Sequence, residues 1–209
     1  MLWVFLDLAG NDYWDLAYKN GDFEHWELDY PSPELVSLVA AGTVRKDAKV
    51  LDVGCGGGLD AIFLAQCGLS VIGVDVSPGA LEIAERRAKD AGVEVDWRLG
   101  NVLDLPVEDE IIDFITDRGL FHVIEDCDRS KYSSELYRVL KLQGRALIRG
   151  ASVESAAKDR FNPVTEEAVE KYFCSNFERS PVFPFPLFSK AGVMDGRLVV
   201  LKKVKQNHT

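Results

Sequence analysis

The 209-residue sequence has few cysteines, no long apolar run and no excess of positive charge. Its cysteines, Cys55, Cys67, Cys127 and Cys174, show no CxxC spacing and lie near no paired histidines, which argues against a zinc site. No apolar run approaches the roughly 20 residues that cross a bilayer. The apolar start at residues 1–10 lacks a basic segment and a cleavage site. We therefore expect a soluble cytoplasmic protein with free thiols, no metal and no membrane partner.

The net charge argues against a further class of partner. Acidic residues outnumber basic ones by 34 to 24, which gives a formal net charge of −10. An acidic surface repels phosphate backbones. The densest basic run, Lys202, Lys203 and Lys205, is typical of a solvated strand end. We predict no nucleic-acid partner, and the sequence leaves the oligomeric state open.

Length and composition fit one folded domain. Of the residues, 47% are hydrophobic and 28% are charged, which is ordinary for a globular protein. We predict a single domain over residues 1–209. It comprises an N-terminal extension at 1–43, a central core at 44–150, and a C-terminal helix and hairpin at 151–209.

Short apolar runs alternate with helical patterns along the core. The pattern predicts strands at 49–53, 70–76, 93–100, 111–117 and 145–150, and helices at 59–66, 78–91 and 129–141. Strands that alternate with helices form right-handed βαβ units. The core is therefore predicted to be an α/β fold, a parallel sheet with helices on both faces.

The flanking segments follow different patterns. We predict a helix at 33–41 before the core and a second helix at 166–173, introduced by Thr165. Two β-type runs, 182–189 and 197–204, flank a turn signal at Met194–Asp195–Gly196 and predict an antiparallel hairpin. The two prolines of the first run, Pro184 and Pro186, favour a sheet edge.

The strongest local motif is a glycine-rich turn between the first strand and the first core helix. Glycines at positions 54, 56, 57 and 58 permit positive φ and let a ligand approach the backbone, next to the free N–H groups of a helix start. A GxGxxG fingerprint starting at Gly54 would need glycine where Leu59 stands, which weakens a dinucleotide site. A tight turn without any ligand remains the simple alternative.

An acidic residue follows this turn at the end of the second strand. Asp75 lies 17 residues after Gly58. A carboxylate in that position can accept hydrogen bonds from both hydroxyls of a ribose. The alternative is that Asp75 only caps the next helix.

Five motifs in order resemble the class I S-adenosylmethionine-dependent methyltransferases. They are LDVGCGGG (51–58), GVDVS (73–77), GNVLDLP (100–106), IIDFITDRGLFH (111–122) and LYRVLKLQGRALI (136–148). The resemblance covers roughly residues 30–204. It implies a Rossmann-like, seven-stranded, mostly parallel sheet with an antiparallel terminal hairpin. It also implies S-adenosylmethionine as cofactor and S-adenosylhomocysteine as product.

The resemblance assigns residues to the methionine end of the cofactor. Asp52 and Gly54 would border the methionine, and Gly56 would let its own backbone pass close to the cofactor. Asp117, at the end of the fourth strand, would lie beside the amino acid and the methyl group. An ordinary acid at a strand end is the alternative for Asp117.

A second set of residues is assigned to the adenosine. Asp75 would hold the ribose hydroxyls, and Val76 would pack on the adenine. Asn101 would contact the adenine amino group, and the backbone amide of Val102 would face a ring nitrogen. The family usually has Asp where this chain has Asn101, but an amide oxygen can still accept from an amino group.

The N-terminal region resembles one branch of this family. Residues 13–27 and the run DRGLFH (117–122) are similar to the thiopurine methyltransferase and tellurite-resistance methyltransferase branch. Trp14, Tyr18 and Trp26 would then fold over the cofactor, where aromatic faces attract a sulfonium. The alternative is that these aromatics only pin a helix to the core.

The acceptor side is the least defined. The resemblance implies a small-molecule acceptor, namely a thiol, a metalloid or other anion, or an amine. His122 is the candidate base, and Asp117 and Arg118 are further catalytic candidates. Arg118 would meet an anionic acceptor or pair with surface acids, and Arg149 is a further candidate at the end of the fifth strand. A binding module without transfer, a protein-substrate methyltransferase and a nicotinamide oxidoreductase remain as alternatives.

Overall fold

The computed structural model describes residues 11–159 and 161–205, so residues 1–10 of the predicted extension lie outside the described part. The helices are Asn11–Asn20 (α1), Pro33–Ala40 (α2), Leu59–Gln66 (α3), Pro78–Ala91 (α4), Arg129–Val139 (α5), Val153–Asp159 (α6) and Glu166–Phe173 (α7), with a 3₁₀ turn at Asp22–His25. The strands are Lys49–Val53 (β1), Ser70–Asp75 (β2), Asp96–Leu99 (β3), Ile112–Arg118 (β4), Leu140–Ala151 (β5), Phe177–Arg179 (β6), Phe183–Ser189 (β7) and Gly192–Lys203 (β8). None of the described helices is long and apolar enough to cross a membrane.

The strands form one mixed sheet in the order β3-β2-β1-β4-β5-β8-β6, and β7 also pairs with β8. The first five strands are parallel, and β8 runs antiparallel to β5, β6 and β7. The predicted α/β architecture is confirmed, with eight strands where seven were expected. The added strand, Phe177–Arg179, spans three residues and is too short to show a periodic pattern.

Both faces of the sheet are buried. Leu51 and Val53 of β1 lie in a core cluster with Tyr132 of α5, whereas Val50 lies in a second cluster with Leu64 of α3. Neighbouring residues of a strand point to opposite faces. This explains why the adjacent residues Val50 and Leu51 are both apolar although they point to opposite faces.

Several helix ends fall where the sequence predicts them because the capping residues act as expected. Ser77 precedes Pro78, and its side chain accepts a hydrogen bond from the Ala80 N–H at 3.0 Å. Gly92 ends α4 with φ of 68°. Thr165 caps α7 by accepting from the Ala168 N–H at 3.1 Å.

The predicted hairpin turn at residues 194–196 is wrong. β7 and β8 turn at Lys190 and Ala191, and residues 194–196 lie inside β8. Gly196 is needed there for close packing, because a Cβ on it would lie 2.9 Å from both the Gly150 carbonyl oxygen and the Leu187 side chain. The two prolines do lie in β7, whose pairing within the described residues is with β8.

The strand predicted at 145–150 spans Leu140–Ala151. Two further boundaries differ from the predictions by two residues or more. The helix predicted at 129–141 ends at Val139, because Leu140 already pairs with Ile112 as part of β5. The strand predicted at 93–100 is confined to Asp96–Leu99. Neither difference moves a predicted site residue out of its place at the sheet edge.

Candidate active site

The predicted site residues meet at the carboxyl edge of the parallel strands. Val53, the last residue of β1, is in register with Val74 of β2 and with Asp117 of β4. The glycine turn, Asp75 and the turn after Asp117 are therefore neighbours. Ligands of open α/β sheets bind at this edge.

The glycine turn is packed closely from above. A Cβ on Gly56, which has φ of 53°, would lie 2.3 Å from the hydroxyl oxygen of Tyr18. A Cβ on Gly54 would lie 3.3 Å from the Leu120 side chain. The turn therefore gives neighbouring groups direct access to its backbone.

Asp75 organises this turn through its carboxylate. Oδ2 accepts from the Gly56 N–H at 2.8 Å, and Oδ1 accepts from the Ser77 N–H at 2.9 Å. Burial raises the pKa of Asp75, and these backbone hydrogen bonds oppose the rise. Each carboxylate oxygen has a second lone pair, so it can accept a further bond from a hydroxyl.

A buried ionic cluster lies beneath the same edge and is centred on Arg149, which is completely buried. Its guanidinium forms ion pairs with Glu34 and Asp60 and donates to the Thr116 hydroxyl and the Asp117 carbonyl. From the sequence, Arg149 is only a further candidate at the end of the fifth strand. Its two carboxylate partners were missed, because their relation to the site appears only when α2 and α3 pack against the sheet.

Asp52 lies beside this cluster and carries the most unfavourable charge environment of the edge. Burial and the Asp60 carboxylate raise the pKa of Asp52 well above its usual range, while Arg149 opposes the rise. Asp75 and Asp117 add to the increase. A cationic ligand at this edge would relieve the mutual repulsion of these carboxylates.

Asp117 holds the turn that follows β4. Oδ1 accepts from the Leu120 N–H at 2.8 Å, and Oδ2 accepts from the Phe121 N–H at 3.1 Å and the Tyr132 hydroxyl at 2.7 Å. Burial raises the pKa of Asp117 to about 6, although the Tyr132 hydrogen bond opposes the rise. The carboxylate therefore positions residues 118–122 against the glycine turn.

Two predicted residues of the acceptor side are held by the protein backbone. The Nδ1 atom of His122 accepts from the Ala151 N–H at 2.8 Å, and the ring is buried. Arg118 forms no ion pair with an acid within the described part of the chain, and its guanidinium is already used. It donates to the backbone carbonyls of Phe188 and Trp26, and so links the hairpin to the N-terminal segment.

The predicted adenosine residues lie at the adjoining strand ends. Val76 follows Asp75 directly, and the Gly100 N–H donates to the Asp75 carbonyl at 3.0 Å, which brings Asn101 close to β2. Asn101 is exposed, and its side-chain oxygen accepts from the Leu103 N–H at 2.9 Å. The next residue, Val102, is half-buried.

An N-terminal lid, defined as residues 11–28, covers the edge. Within it Trp14 and Tyr18 each pack edge-on against Trp26, with ring centroids 5.8 and 6.2 Å apart. Asp15 fixes the lid to the start of α4 by accepting from the Gly79 N–H at 2.9 Å.

The lid is also tied to the core and the hairpin. Glu27 forms a two-point ion pair with Arg87, whose Nη1 also donates to the Gly57 carbonyl at 3.0 Å. The N–H groups of Lys190 and Ala191 donate to the carbonyls of Glu27 and His25 at 3.1 and 3.2 Å. The lid thus contacts the glycine turn and the hairpin together.

A family model described as a methyltransferase domain matches residues 50–144, the part that contains this edge. Residues 50–144 are thus similar to a methyltransferase domain. A curated demethylmenaquinone methyltransferase from Symbiobacterium thermophilum is 36% identical over 156 residues, which are 71% of this chain and 58% of that protein. The chain spans less than two thirds of the length of the curated relatives that match it.

Solved structures share the fold of the methyltransferase domain and its flanking segments. One, from a study of the conversion of a disulfide bond into a thioacetal group during echinomycin biosynthesis, has a TM-score of 0.82 and 23% identity, and the match covers 93% of both chains. Another, a magnesium protoporphyrin IX methyltransferase from Synechocystis with bound S-adenosylmethionine, has a TM-score of 0.71 and 16% identity over 97% of this chain and 100% of that one. The matching family model agrees with the predicted resemblance to S-adenosylmethionine-dependent methyltransferases.

The buried carboxyl group of Asp117 gives the methyltransferase domain a testable pH dependence. The pKa of Asp117 is about 6 in the folded protein and about 3.9 in an unfolded chain. Between these values the folded state binds the proton more tightly, so the free energy of unfolding falls as pH rises. The expected contribution is roughly 2–3 kcal/mol at most, at about 1.4 kcal/mol per pKa unit.

Urea unfolding of wild type and Asp117→Asn between pH 4 and pH 7 tests this dependence. Because the variant cannot ionise at residue 117, its stability relative to wild type should increase across the interval. Tyr132→Phe removes a donor to the carboxylate and should move the change to higher pH. Parallel pH dependences for wild type and Asp117→Asn would contradict the expectation.

The Glu27–Arg87 ion pair is expected to hold the lid closed. Glu27→Gln should weaken closure by about 1 kcal/mol, since the pair is only partly buried and part of the bonding survives. Trypsin should then cleave at the exposed Lys19 roughly five times faster, with the cut located by mass spectrometry. Asp29→Asn, which breaks an exposed ion pair with Lys190, is the matched control. Equal cleavage rates for the two variants would argue against a role of Glu27 in closure.

Proposed function

We propose that the chain transfers the methyl group of S-adenosylmethionine to a small-molecule acceptor. The observation that carries this proposal is the set of mutually repelling carboxylates around Asp52. These carboxylates lie next to the glycine turn, whose backbone other groups can approach closely. A cofactor with both a sulfonium and an ammonium group would supply positive charge that relieves this repulsion.

The residues present fit such a cofactor. Asp75 would hold the ribose hydroxyls with its remaining lone pairs. Val76, Asn101 and the Val102 amide would contact the adenine, and Gly54 and Gly56 would face the methionine portion. Asp117 would act there indirectly, by positioning the turn after β4.

When bound, the cofactor supplies an electrophilic methyl carbon with a good leaving group. A lone pair of the acceptor forms the new bond to this carbon, and the electrons of the carbon–sulfur bond pass to sulfur. The protein then has to align the acceptor and exclude water, and alignment alone contributes roughly 7–11 kcal/mol to such reactions. Trp14, Tyr18 and Trp26 of the lid would exclude the water.

The small size of the acceptor is supported by several observations. The relative from Symbiobacterium is named for demethylmenaquinone, and the Synechocystis neighbour is named for magnesium protoporphyrin IX. The neighbour with the TM-score of 0.82 comes from a study of chemistry at a disulfide. A lid that is closed over the site leaves room only for a compact acceptor. Such a lid agrees with the proposed thiopurine and tellurite-resistance branch. A thiol is our first choice of acceptor.

Calorimetric titration with S-adenosylhomocysteine tests the cofactor, with NAD as the control ligand. We expect saturable binding of the first at micromolar concentration and none of the second. Transfer is then followed by the formation of S-adenosylhomocysteine from S-adenosylmethionine with a panel of thiols, phenols and amines. If the chain binds S-adenosylhomocysteine but forms no product with any acceptor, it is a cofactor-binding protein without transfer activity. Binding of NAD alone would overturn the proposal.

A further inference from the structure

His122 lies in the turn that follows β4. Its ring stacks on Phe161 with a centroid distance of 4.3 Å and an interplanar angle of 11°. A Cβ on Gly119 would lie 3.4 Å from Nε2, and the next residue, Leu120, covers Gly54 of the glycine turn. The Nε2 edge of the ring therefore lies next to Gly119, in the same turn as the Leu120 side chain that packs on the glycine motif.

The backbone fixes which nitrogen carries the proton. Since Nδ1 accepts from the Ala151 N–H at 2.8 Å, the proton of the neutral ring is on Nε2. Among the described residues none accepts a hydrogen bond from Nε2. His122 thus offers a donor, and neither of its nitrogens has a lone pair free to take up a proton.

The charged groups around the ring oppose a second proton. Burial lowers the pKa of His122 to about 3, and the charges of Arg129 in α5 and Arg118 in β4 add to the decrease. Asp117 lies on the same turn, but its carboxylate is used by Tyr132 and by backbone N–H groups. The described residues of β5 and of 161–164 that touch the ring, including Gly150, Ala151 and Phe161, bring no charge. The surroundings favour an anion next to a neutral ring.

We propose that His122 donates a hydrogen bond from Nε2 to an acceptor that arrives already ionised, so that the substrate class is an acidic thiol or phenol. The proposal rests on the proposed methyl transfer and specifies its acceptor. The acceptor loses its proton to solvent before transfer. Its anionic sulfur or oxygen then forms the bond to the methyl carbon as the carbon–sulfur bond of the sulfonium breaks, and no protein base takes part.

Two substitutions separate the two nitrogens of the ring. Asn places its amide oxygen near the position of Nδ1, so His122→Asn keeps an acceptor for Ala151 and loses the Nε2 donor. Gln reaches the position of Nε2, so His122→Gln keeps a donor there and loses the bond to Ala151. We expect His122→Asn to lower kcat/KM roughly 10- to 100-fold, the size expected for a hydrogen bond to a charged group. His122→Gln should stay within a few-fold of wild type although it melts at a lower temperature.

The pH profile distinguishes a donor from a base. The probes are 4-nitrothiophenol and benzyl mercaptan for sulfur, and 4-nitrophenol for oxygen. With wild type, kcat/KM should rise only through the ionisation of each probe, so the midpoint should move from probe to probe. The loss in His122→Asn should be the same at every pH. A loss that disappears once the probe is ionised, or an equal loss in both variants, would overturn the proposal.

A measurement that needs no turnover examines the ring itself. Nitrogen-15 NMR of histidine-labelled protein, with the His122 resonance assigned by its absence in His122→Asn, should show a protonated Nε2 that does not titrate between pH 5 and pH 8. A ring protonated at Nδ1 or titrating near pH 6.5 contradicts the donor role, whatever the cofactor result. Transfer to amines but to none of the three probes would leave methyl transfer standing and overturn the acceptor class.

Discussion

Replacing Arg149 by Met is expected to lower the free energy of unfolding by about 3–5 kcal/mol, because it leaves buried carboxylates without their counter-charge. Glu34 and Asp60 both pair with this completely buried guanidinium, and Asp52 is already destabilised by its neighbours. Urea unfolding at pH 7 measures the loss. The loss should become smaller as pH is lowered, because the unpaired carboxyl groups then take up protons.

Two comparisons make this result specific. Arg45 is exposed and pairs with Asp47 and Asp113 at the surface, so Arg45→Met should change stability by no more than about 1 kcal/mol. Asp60→Asn in the Arg149→Met background removes one of the unpaired charges and should restore part of the loss. A loss below about 1 kcal/mol for Arg149→Met would show that the Arg149 ion pairs do not hold the cluster together.

Replacing Asp75 by Ala is expected to weaken S-adenosylhomocysteine binding by about 1.5–3 kcal/mol, or roughly 10- to 150-fold, if its carboxylate holds the ribose. The same change removes the bonds to the Gly56 and Ser77 amides, so the turn itself would loosen. Calorimetry should therefore be repeated with an analogue that lacks the 2′-hydroxyl. Wild type should discriminate between the two ligands, and the variant should not.

The neighbouring Asp104 provides the matched control, since it is exposed in the turn after β3. Asp104→Ala should leave both affinities within about twofold of wild type, as expected for an exposed charge. Continued discrimination against the 2′-deoxy ligand in Asp75→Ala would place the ribose elsewhere. It would leave Asp75 as the residue that shapes the glycine turn.

The parts of the fold with local chemical signals could be predicted from the sequence. α4 begins at a proline behind a serine cap and ends at Gly92, and its bounds match the prediction. β1 and α3 are marked by the apolar run and by the glycines between them. Each signal acts within a few residues, so it does not depend on the rest of the chain.

Features that depend on tertiary packing could not be predicted. In the sequence, Gly196 favours a turn. In the structure, glycine is needed at this position because Leu187 and Gly150 pack too closely to leave room for a side chain. Glu27 and Arg87 are distant in sequence and meet only because the lid lies on α4. His122 shows the same limit within the site, because the nitrogen that bears its proton is set by Ala151 on another strand.

The contacts of the lid with Lys190 and Ala191 have a consequence for the order in which the protein is made. The lid lies near the start of the chain, and its hydrogen-bond partners lie near the end of the described residues. During synthesis the lid leaves the ribosome early, but these bonds must wait until the hairpin has emerged. Closing so long a loop is slow, so we expect the lid to close only after the parallel strands have formed. In native-state hydrogen exchange, lid and hairpin tip should open together, before the parallel strands beneath them.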